Sequence, residues 1–369
     1  MHIGIDARLV FYNKAGIGQY IIHLTKAISK LQSIHERFTI LQSRKDKFRI
    51  LENSNFARVS LWTPSHNWFE KFALRFETMT LGLDLLHSPD FIPPLWRNFK
   101  SVITVHDLSF MLYPKFMTKE SARYYGQIDQ AVRSTDHIIA VSEATKEDLT
   151  KLLGVPEQKI SVIYEGVNPI YQPTDKREAI AAIQKKWQIE PGFIFFISTL
   201  EPRKNIPALL KSYKYLRDKY KIKEPLVLAG KQGWFFEEVE RTLQELKLEN
   251  EAIFLGRVSD SDVKYLYNTA GMLVYPSFYE GFGLPPLEAM QCGTPVIASK
   301  IKVMPEVVGD AALLIDPHDH EDLASAIYRL LNDEQLCQDL IHKGTQQASK
   351  FSWEKAACET IDVYRKVGS

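Results

Sequence analysis

The segment from Gly271 to Met290 constrains the fold of this chain more than any other part of its sequence. It begins with an apolar run, residues 271–275, which is typical of a buried parallel strand. Gly281 and Gly283 follow, and then Pro285-Pro286, which suit the first turn of a helix. Such a corner presents backbone N–H groups and the positive end of a helix dipole, so it can bind an anion. The sequence therefore predicts an α/β protein with a phosphate site at this corner.

Two carboxylates flank the predicted phosphate site. Glu280 lies in the loop and Glu288 is expected in the first turn of the helix. Beside a phosphate, a carboxylate serves best as an acceptor of hydrogen bonds from sugar hydroxyls. We therefore expect a ligand with a phosphate in its middle and polyhydroxylated rings at both ends. The alternative is the ordinary start of a capped helix.

Length and composition restrict the class of protein. With 369 residues the chain exceeds one typical domain, so two or three domains are expected. Hydrophobic residues make up 45% and charged residues 25%, as in soluble globular proteins. The formal net charge of +1 gives no indication of nucleic-acid binding. No apolar run is long enough to span a membrane, and the N-terminus reads as a strand and not as a signal peptide.

The cysteines indicate a reducing compartment. Cys292, Cys337 and Cys358 lie far apart and show no Cys-x-x-Cys spacing, so neither disulfides nor a zinc site is expected. The predicted location is the cytoplasm, with the inner face of a membrane left open.

Polar groups at strand ends mark a second candidate site in the first half of the chain. His106-Asp107 follow the buried strand 101–105, and the carboxyl ends of parallel strands line the ligand crevice. His106 can donate to a sugar hydroxyl or a phosphate, and Asp107 can orient it. Near the N-terminus, Gly16 and Gly18 let backbone approach a ligand closely. Ile21 stands where a nicotinamide fingerprint needs a third glycine, so an oxidoreductase is disfavoured.

Cations mark the exit of a strand in the second half of the chain. Arg203 and Lys204 follow the apolar run 193–197, and Asn205 is expected to cap the next helix. Arg binds phosphate through two parallel hydrogen bonds and Lys adds a compact charge, so this loop is predicted to hold a diphosphate. Lys231 follows the next strand and is expected to contribute.

One helical stripe combines aromatic and basic residues, with Lys71 and Arg75 among Trp68, Phe69, Phe72 and Phe76. Core packing is favoured for it over an acceptor-contact or membrane-contact face. The charge run 44–47 is expected to be solvated. Asp260-Ser261-Asp262 looks like a metal-binding motif but is interpreted as a helix start.

These motifs, in this order, resemble the retaining glycosyltransferases of family 4, also called glycosyl transferases group 1. The resemblance rests on the opening Gly4 to Arg8 with Gly16-Ile17-Gly18, on His106-Asp107, on Arg203-Lys204, and on Glu280 and Glu288 with seven residues between them. It covers nearly the whole chain. One departure is Ser198-Thr199, where many members carry Gly-Arg.

The resemblance implies a GT-B fold, in which two Rossmann-like parallel-sheet domains face each other across a deep cleft. It implies an acceptor-binding domain at 1–170, a linker at 171–190 and a donor-binding domain at 191–352. The helix at 353–369 is expected to pack back onto the first domain.

The resemblance also assigns roles. His106, Glu280, Lys204 and Arg203 are expected to be catalytic, and Asp107 and His87 to lie on the acceptor side. Donor binding is assigned to Gly16, Gly18, Lys231, Arg257, Val258, Gly281, Phe282, Gly283, Leu284 and Glu288. The turn at Arg257-Val258 is expected to hold the nucleobase through backbone groups. No metal and no cofactor are expected, because the nucleotide sugar is a substrate.

The implied reaction moves a hexose from a UDP- or GDP-sugar to a hydroxyl of a glycan or lipid-linked oligosaccharide, with retention at the anomeric carbon, in polysaccharide biosynthesis. The chain is expected to be a monomer or a weak homodimer, with peripheral association with a membrane left open and no nucleic-acid partner. A disaccharide phosphorylase or nucleotide-sugar hydrolase of the same fold, and a non-catalytic glycan-binding protein, are the alternatives.

Overall fold

The chain forms two compact α/β units. The structure, a computed structural model, describes residues 1–12, 16–32, 35–51, 56–67, 69–116 and 119–369. The first unit comprises Met1–Gly166 together with Ser352–Ser369, and the second comprises Val167–Phe351. Each unit contains one parallel β-sheet with helices packed against it, so the prediction of two Rossmann-like α/β domains is confirmed.

The first unit is built on a sheet of seven strands in the order β3-β2-β1-β4-β5-β6-β7. Its strands are β1 (His2–Asp6), β2 (Arg37–Ser43), β3 (Phe56–Leu61), β4 (Leu85–Ser88), β5 (Lys100–Val105), β6 (His137–Ala140) and β7 (Ile160–Val162). The helices of its N-terminal part are α1 (Leu9–Tyr12), α2 (Ile17–Ile28), α3 (Glu70–Thr78), α4 (Ser109–Leu112), α5 (Lys119–Tyr125), α6 (Ile128–Ser134) and α7 (Glu143–Leu153).

The second unit repeats this plan with six strands in the order β10-β9-β8-β11-β12-β13. Its strands are β8 (Ile194–Ile197), β9 (Leu226–Ala229), β10 (Ala252–Gly256), β11 (Met272–Tyr275), β12 (Val296–Ser299) and β13 (Ala312–Ile315). Its helices are α8 (Lys176–Trp187), α9 (Ile206–Tyr220), α10 (Glu237–Leu246), α11 (Asp260–Thr269), α12 (Leu284–Gln291), α13 (Met304–Val308), α14 (His320–Asn332) and α15 (Glu334–Ala348). The last helix, α16 (Trp353–Gly368), belongs to the first unit.

The two sheets share a topology that predetermines where polar groups can gather. In each sheet the strand order reverses beside the first strand, between β1 and β4 in one unit and between β8 and β11 in the other. At such a switch point the connections leave in opposite directions and open a crevice outside the carboxyl ends of the strands. The candidate site residues of each unit are therefore sought at these ends.

Close packing fixes α16 on the first unit. A Cβ atom on Gly166 would overlap the backbone nitrogen of Trp353, so only glycine allows this approach. Tyr364 of α16 is fully buried, and its hydroxyl lies 2.6 Å from Nδ1 of His87 on β4. The C-terminal helix is thus an integral part of the first unit.

Several predicted element boundaries differ from the observed ones. The first strand ends at Asp6, because Leu9 and Val10 are buried as parts of α1. The segment predicted as a linker, 171–190, contains α8, which Asp175 caps by accepting from the backbone of Arg177 and Glu178. The segment expected to be a linker thus contains a capped helix.

Among the described residues, no helix is both long enough and apolar enough to cross a membrane. The three cysteines are free thiols.

Candidate active site

The corner after β11 has the strand–loop–helix geometry that the sequence predicts. Gly283 precedes α12 with φ of 113°, a conformation that favours glycine, and a Cβ atom there would lie 2.5 Å from the end of the Met304 side chain. Pro285 lies in the first turn of α12, as expected. Glu288 is the fifth residue of the helix, so it lies in the second turn and not in the first.

Glu280 is held between the two predicted phosphate-binding cations. Lys204 Nζ donates to Glu280 Oε1 at 2.6 Å, and Arg203 Nη1 donates to Glu280 Oε2 at 3.1 Å. The side chains of Glu280 and Lys204 are 7% and 4% exposed, whereas that of Arg203 is 23% exposed. Arg203 is therefore the more accessible of the two cations.

Neighbouring groups fix the exit loop of β8 against the loop after β11. Residues Pro202–Lys204 form a 3-10 turn, and the backbone N–H of Phe278 donates to the carbonyl of Arg203 at 2.8 Å. Glu201 forms an ion pair with Nε of Arg203. Tyr275 OH accepts from Lys204 Nζ at 3.1 Å. Both cations are thus placed by contacts on more than one side.

Asn205 has a different role from the predicted helix cap. It adopts φ of 57° and makes no side-chain capping bond to α9. Its amide instead donates to the carbonyls of Pro276 at 3.1 Å and Pro317 at 2.7 Å. Asn205 therefore connects the exit loop of β8 with the loops after β11 and β13.

The ion pairs set the protonation of this cluster. Burial alone would raise the pKa of Glu280, but the charges of Lys204 and Arg203 lower it to about 2. Burial lowers the pKa of Lys204, as does the charge of Arg203, while Glu280 opposes this shift. Glu280 is therefore ionised at neutral pH.

Glu288 lies on α12 and is bound by a tyrosine. The hydroxyl of Tyr267 donates to Glu288 Oε2 at 2.9 Å, and the carboxylate is half-buried. Burial raises the pKa of Tyr267 well above its ordinary value, as does the charge of Glu288, so the phenol stays protonated and remains a donor. Tyr267 thus orients Glu288, the second of the two carboxylates that flank the loop after β11.

The remaining residues that the resemblance assigns to donor binding follow β9, β10 and β11, which are strands of the same sheet. Gly281 and Phe282 are buried in the loop, and Leu284 begins α12. Lys231 is exposed after β9, where its carbonyl accepts from the backbone of Leu200 at 2.9 Å. The exposed Arg257 and the half-buried Val258 follow β10.

In the first unit, His106 is held at the end of β5 by two acceptors. Its Nδ1 lies 3.0 Å from Glu165 Oε1 and its Nε2 lies 3.0 Å from the carbonyl of Pro89. Because a carboxylate and a carbonyl only accept, both ring nitrogens must carry protons. Burial would lower the pKa of His106, but the hydrogen bond and charge of Glu165 raise it. The pairing with Glu165 therefore favours the protonated form of the His106 ring.

Asp107 and the N-terminal glycines shape the backbone around this site. Asp107 Oδ1 accepts from the backbone N–H of Ser109 at 2.9 Å and from its hydroxyl at 2.6 Å. Gly16 is exposed, with φ of 51°, at the N-cap of α2. Gly18 is buried inside α2, so it is not part of a loop as the sequence suggested.

The structure buries His87, which the resemblance assigns to the acceptor side. The residue is fully buried on β4, with Nδ1 beside the hydroxyl of Tyr364 and Nε2 at 2.8 Å from Thr104 Oγ1. Burial lowers the pKa of His87 to about 3. It is a neutral core histidine that cannot reach an acceptor.

A buried charged cluster at the ends of β1 and β4 was not predicted from the sequence. Arg8 is 1% exposed and pairs with Asp6 at 2.6 Å and with Glu70 at 3.2 Å. Beside it, Asp90 Oδ2 accepts from His66 Nε2 at 2.6 Å and from Tyr124 OH at 3.0 Å. The spacing Asp-x-Arg directly after the first strand was the one available signal.

Two polar atoms in this cluster have no hydrogen-bond partner within the part of the chain that the structure describes. Asp90 Oδ1 and Ser65 Oγ are buried without a hydrogen bond, and both residues line a small cavity with Asp6, Arg8 and Glu70. Burial raises the pKa of Glu70 to about 8, although Arg8 opposes the shift. The cluster thus offers carboxylate oxygens near the end of β4, where hydroxyl donors can bind.

Helix-capping residues explain the apparent metal motif. Ser259 caps α11 by accepting from the backbone of Asp262, and Asp262 accepts in return from the backbone of Ser259. The N-cap is therefore Ser259 and not Asp260 as expected. Among the described residues, no group of His, Cys, Asp and Glu side chains is arranged to hold a metal ion.

Comparison with known proteins supports this assignment of the fold. Residues 15–170 match the model described as Glycosyltransferase Family 4, and residues 179–347 match the one described as Glycosyl transferases group 1. Sucrose-phosphate synthase from Thermosynechococcus elongatus has a similar fold, with a TM-score of 0.80 and 22% identity over 99% of this chain and 98% of that one. Anabaena HepE, solved in complex with UDP and glucose, gives a TM-score of 0.76 and 20% identity over 99% of both chains.

Sequence relatives extend over the full length. The O-antigen chain mannosyltransferase B of Escherichia coli is 32% identical over 373 residues, covering 96% of this chain and 97% of the relative. The O-antigen chain mannosyltransferase RfbU of Salmonella typhimurium is 33% identical over 264 residues, covering 71% of this chain and 67% of the relative. The fold and the site thus define a glycosyltransferase of the GT-B type. The chain belongs to the glycosyl transferases group 1, family 4.

Proposed function

We propose that this enzyme transfers a mannosyl unit from a nucleotide diphosphate sugar to a glycan hydroxyl, with retention of the anomeric configuration, in the synthesis of a cell-surface polysaccharide. One observation carries the proposal: Glu280, Arg203 and Lys204 meet at the switch point of the second sheet, beside the start of α12. The full-length relative named a mannosyltransferase supports the choice of sugar.

The cations and the start of α12 would carry the diphosphate. Arg203 has the more exposed guanidinium, and its fork can bind two phosphate oxygens. The backbone N–H groups at the start of α12 and its helix dipole would add partial positive charge for the diphosphate. Lys231, exposed after β9, would add a charge at the edge. These groups would stabilise the negative charge that develops on the leaving diphosphate, which is usually the largest catalytic contribution.

The carboxylates would bind sugar hydroxyls. Glu280 is ionised and fixed by its cations, so it can accept from the transferred hexose once a ligand enters the site. Glu288, oriented by Tyr267, would accept from the ribose hydroxyls. The turn at Arg257-Val258 would hold the nucleobase.

The proposed chemistry balances without a cofactor. The bond between the anomeric carbon and the phosphate oxygen breaks, and the acceptor oxygen bonds to the same face of that carbon. The proton of the acceptor hydroxyl passes to the leaving phosphate. His106 would contact the transferred sugar by exchanging its bond to the Pro89 carbonyl for one to a hydroxyl. The acceptor would be a saccharide or a lipid-linked oligosaccharide.

Calorimetric binding of GDP and UDP, with and without Mg²⁺, tests the donor site. We expect micromolar binding of one nucleotide, unaffected by the metal, and about 10- to 100-fold weaker binding in Glu288→Gln because a hydrogen bond from ribose to a charged acceptor is lost. Glu237→Gln, on the exposed face of α10, is the matched control. Absence of binding by both nucleotides would refute the assignment of this site.

Product analysis tests the reaction. The enzyme is incubated with GDP-mannose or UDP-mannose, according to which nucleotide binds, and with a mannose-terminated acceptor. The product should have the anomeric configuration of the donor, measured by the one-bond carbon–proton NMR coupling at the anomeric position. Release of free mannose without acceptor would indicate a hydrolase. Phosphate-dependent cleavage of the product would indicate a phosphorylase.

A further inference from the structure

The buried charged cluster of the first unit surrounds a cavity of about 10 Å³, which is room for one water-sized group. Its polar lining is Asp6, Arg8, Ser65, Glu70 and Asp90. Two atoms of this lining, Asp90 Oδ1 and Ser65 Oγ, have no hydrogen-bond partner among the described residues. Because the cavity is this small, one group inside it would lie close to both atoms.

Arg8 fixes one wall of the cavity and is not available to a ligand. Its Nε and Nη2 donate to the carboxylate of Asp6 at 2.9 and 2.6 Å. Its Nη1 donates to the carbonyls of Thr63 at 3.0 Å and Pro64 at 3.3 Å. All three guanidinium nitrogens thus donate within the protein, and they fasten the chain directly before Ser65 to the end of β1.

Asp90 is oriented through only one of its two carboxylate oxygens. Oδ2 accepts from His66 Nε2 at 2.6 Å and from Tyr124 OH at 3.0 Å, and these two rings stack with centroids 4.4 Å apart. Burial would raise the pKa of Asp90, but the hydrogen bond and charge of His66 lower it, so the carboxylate is ionised at neutral pH. A charged oxygen that is buried without a donor is unfavourable, so Oδ1 favours the binding of a donor group.

Helix α3 adds a further carboxylate to the cavity. Its first residue, Glu70, is turned inwards and lies 3.2 Å from Arg8. On the same helix and at its N-cap, Phe76 and Phe69 are 69% and 51% exposed. Core packing, favoured from the sequence, is therefore wrong for these members of the aromatic stripe; Trp68 lies outside the described residues.

The chemistry of the lining selects a neutral group that can donate a hydrogen bond. An anion would meet three carboxylates, and a cation would meet the buried guanidinium of Arg8. A hydroxyl is neutral, can donate to a carboxylate oxygen, and can also accept from or donate to a serine hydroxyl. The volume admits one such oxygen, with the rest of the molecule outside the cavity.

We propose that Asp90 Oδ1 and Ser65 Oγ together bind one hydroxyl of the terminal sugar of the acceptor, and that this contact selects the acceptor. The bound hydroxyl is not the one that attacks, because a cavity for one oxygen has no room for the anomeric carbon of the donor beside it. Asp90 and Ser65 therefore determine specificity and take no part in the chemical step.

The position of the cavity connects this site with the proposed function. Asp90 directly follows Pro89, whose carbonyl lies 3.0 Å from Nε2 of His106. In the proposed function His106 contacts the transferred sugar, so an acceptor sugar held by Asp90 would lie near the reacting groups. This step rests on the proposed function, but binding of the saccharide alone can be measured without a donor.

Acceptors that lack a single hydroxyl on the terminal residue test the contact. With the wild type, one monodeoxy analogue of a mannose-terminated acceptor should show kcat/KM about 10- to 100-fold below the parent, because a charged oxygen is left without its donor. For the parent acceptor, Asp90→Asn should lower kcat/KM about tenfold, and Ser65→Ala should lower it about 3- to 10-fold. Both variants should discriminate less against that analogue than the wild type does, and both should keep the KM for the nucleotide sugar.

Stability separates this role from a structural one. Because Ser65 Oγ has no partner in the described part of the first unit, Ser65→Ala should leave the thermal unfolding midpoint unchanged or raise it while acceptor kinetics worsen. Ser88→Ala is the matched control, since Ser88 is 1% exposed and its Oγ is equally unpartnered, but it does not line the cavity. Asp129→Asn, on the exposed side of α6, is the control for Asp90→Asn. Neither control should change the acceptor kinetics.

The ring of His66 gives a direct readout of binding. It donates to Oδ2 of Asp90, so a hydroxyl that donates to Oδ1 draws charge from the same carboxylate and should shift the ring-carbon NMR signal of His66. The parent acceptor, added without nucleotide, should shift this signal in the wild type. The monodeoxy analogue that reacts poorly should require about tenfold or more higher concentration for the same shift.

Each outcome decides the proposal. If all monodeoxy analogues react alike with the wild type, or if Ser65→Ala and Asp90→Asn treat the acceptor as the wild type does, the cavity holds an internal water only and the proposal is overturned. A His66 signal that ignores the saccharide, or an equal kinetic loss in Ser88→Ala, would also overturn it. Failure to bind both UDP and GDP would instead refute the proposed function, and the His66 titration, which needs no nucleotide, would still decide this proposal.

Discussion

Both units gather charged side chains near the switch point of their sheet, but the side chain at the centre of the cluster has the opposite charge in the two units. In the second unit a carboxylate, Glu280, lies between two cations. In the first unit a cation, Arg8, lies between the carboxylates of Asp6 and Glu70. A cationic surround suits a diphosphate, and a surround of carboxylates suits sugar hydroxyls. The contrast therefore parallels the division between donor and acceptor sides that the proposed function requires.

The strongest way to break this comparison is to remove Lys204. Lys204→Met should destabilise the second unit by about 3–5 kcal/mol, because Glu280 is left buried with only Arg203 as a cation partner. Denaturant unfolding measures this loss. Transfer should also fall on the order of 10²–10³, since a cation is removed from the leaving group.

The double variant Lys204→Met with Glu280→Gln provides the control. It replaces the ion pair with neutral groups of similar size, so it should regain part of the lost stability while transfer stays low. If the double variant unfolds as easily as Lys204→Met, the pair is not the source of the effect.

The corresponding change in the first unit, Arg8→Met, should cost about 2–4 kcal/mol at neutral pH, and the variant should keep the loss of stability that the wild type shows between pH 5 and pH 8. Burial raises the pKa of Glu70 to about 8, even though the charge of Arg8 lowers it. Without Arg8, the Glu70 carboxyl therefore stays protonated in the folded protein. A folded pKa above the unfolded one gives stability below about pH 4.5 that is lost as pH rises towards the folded value.

Unfolding of Arg8→Met should therefore become easier between pH 5 and pH 8, by up to roughly 1.4 kcal/mol per pH unit. Arg8→Met with Glu70→Gln should lack this slope. A slope that persists in the double variant would assign it to another group.

Acidification should affect the first unit through His87. Its folded pKa of about 3 lies below the ordinary value of 6.5, so the neutral ring contributes stability above 6.5 that is lost as pH falls towards 3. We expect the free energy of unfolding to fall on the order of 1–2 kcal/mol between pH 6.5 and pH 5. Denaturant unfolding at each pH measures this loss, and His87→Asn should abolish it.

Because His87 is buried, His87→Asn should leave the Michaelis constant for the acceptor unchanged. Tyr364→Phe, which removes one partner of the ring, should lower stability by about 1 kcal/mol and serves as a milder control. If His87→Asn raised the Michaelis constant for the acceptor and left stability normal, the acceptor-side role expected for His87 would be restored.

The sequence predicted the second unit's site better than the first unit's, for a physical reason. Arg203, Lys204 and Glu280 come from two loops whose position follows from strand order alone, so their meeting could be anticipated. In the first unit, Asp6, Glu70 and Asp90 follow different strands or begin helices, and sequence gives no distance between them.

Burial was the property that sequence could not supply. His87 and His106 both lie at the ends of apolar strands, yet one is sealed by Tyr364 of the last helix and the other is paired with Glu165. Phe76 has the spacing of a core residue but lies on the outer face of α3. Periodicity identifies an apolar face without telling which of two faces meets the sheet.

The smallest expected effect concerns the pair His106–Glu165, and it has the opposite sign to that of His87. The pKa of His106 is raised above 6.5, so its contribution to stability is full below 6.5 and is lost as pH rises through the folded value. In Glu165→Gln the imidazolium loses its carboxylate, so we expect about 1 kcal/mol lower stability at pH 6 and little difference at pH 9. Equal destabilisation at both pH values would mean that packing, and not charge, accounts for the effect.

Nuclear magnetic resonance of the ring carbons, titrated in wild type and variant, should show the pKa of His106 falling when Glu165 is neutralised. If it falls and transfer slows in parallel, the imidazolium is the form that contacts the sugar. If transfer is unchanged, His106 positions the end of β5 through Pro89 and takes no part in the reaction.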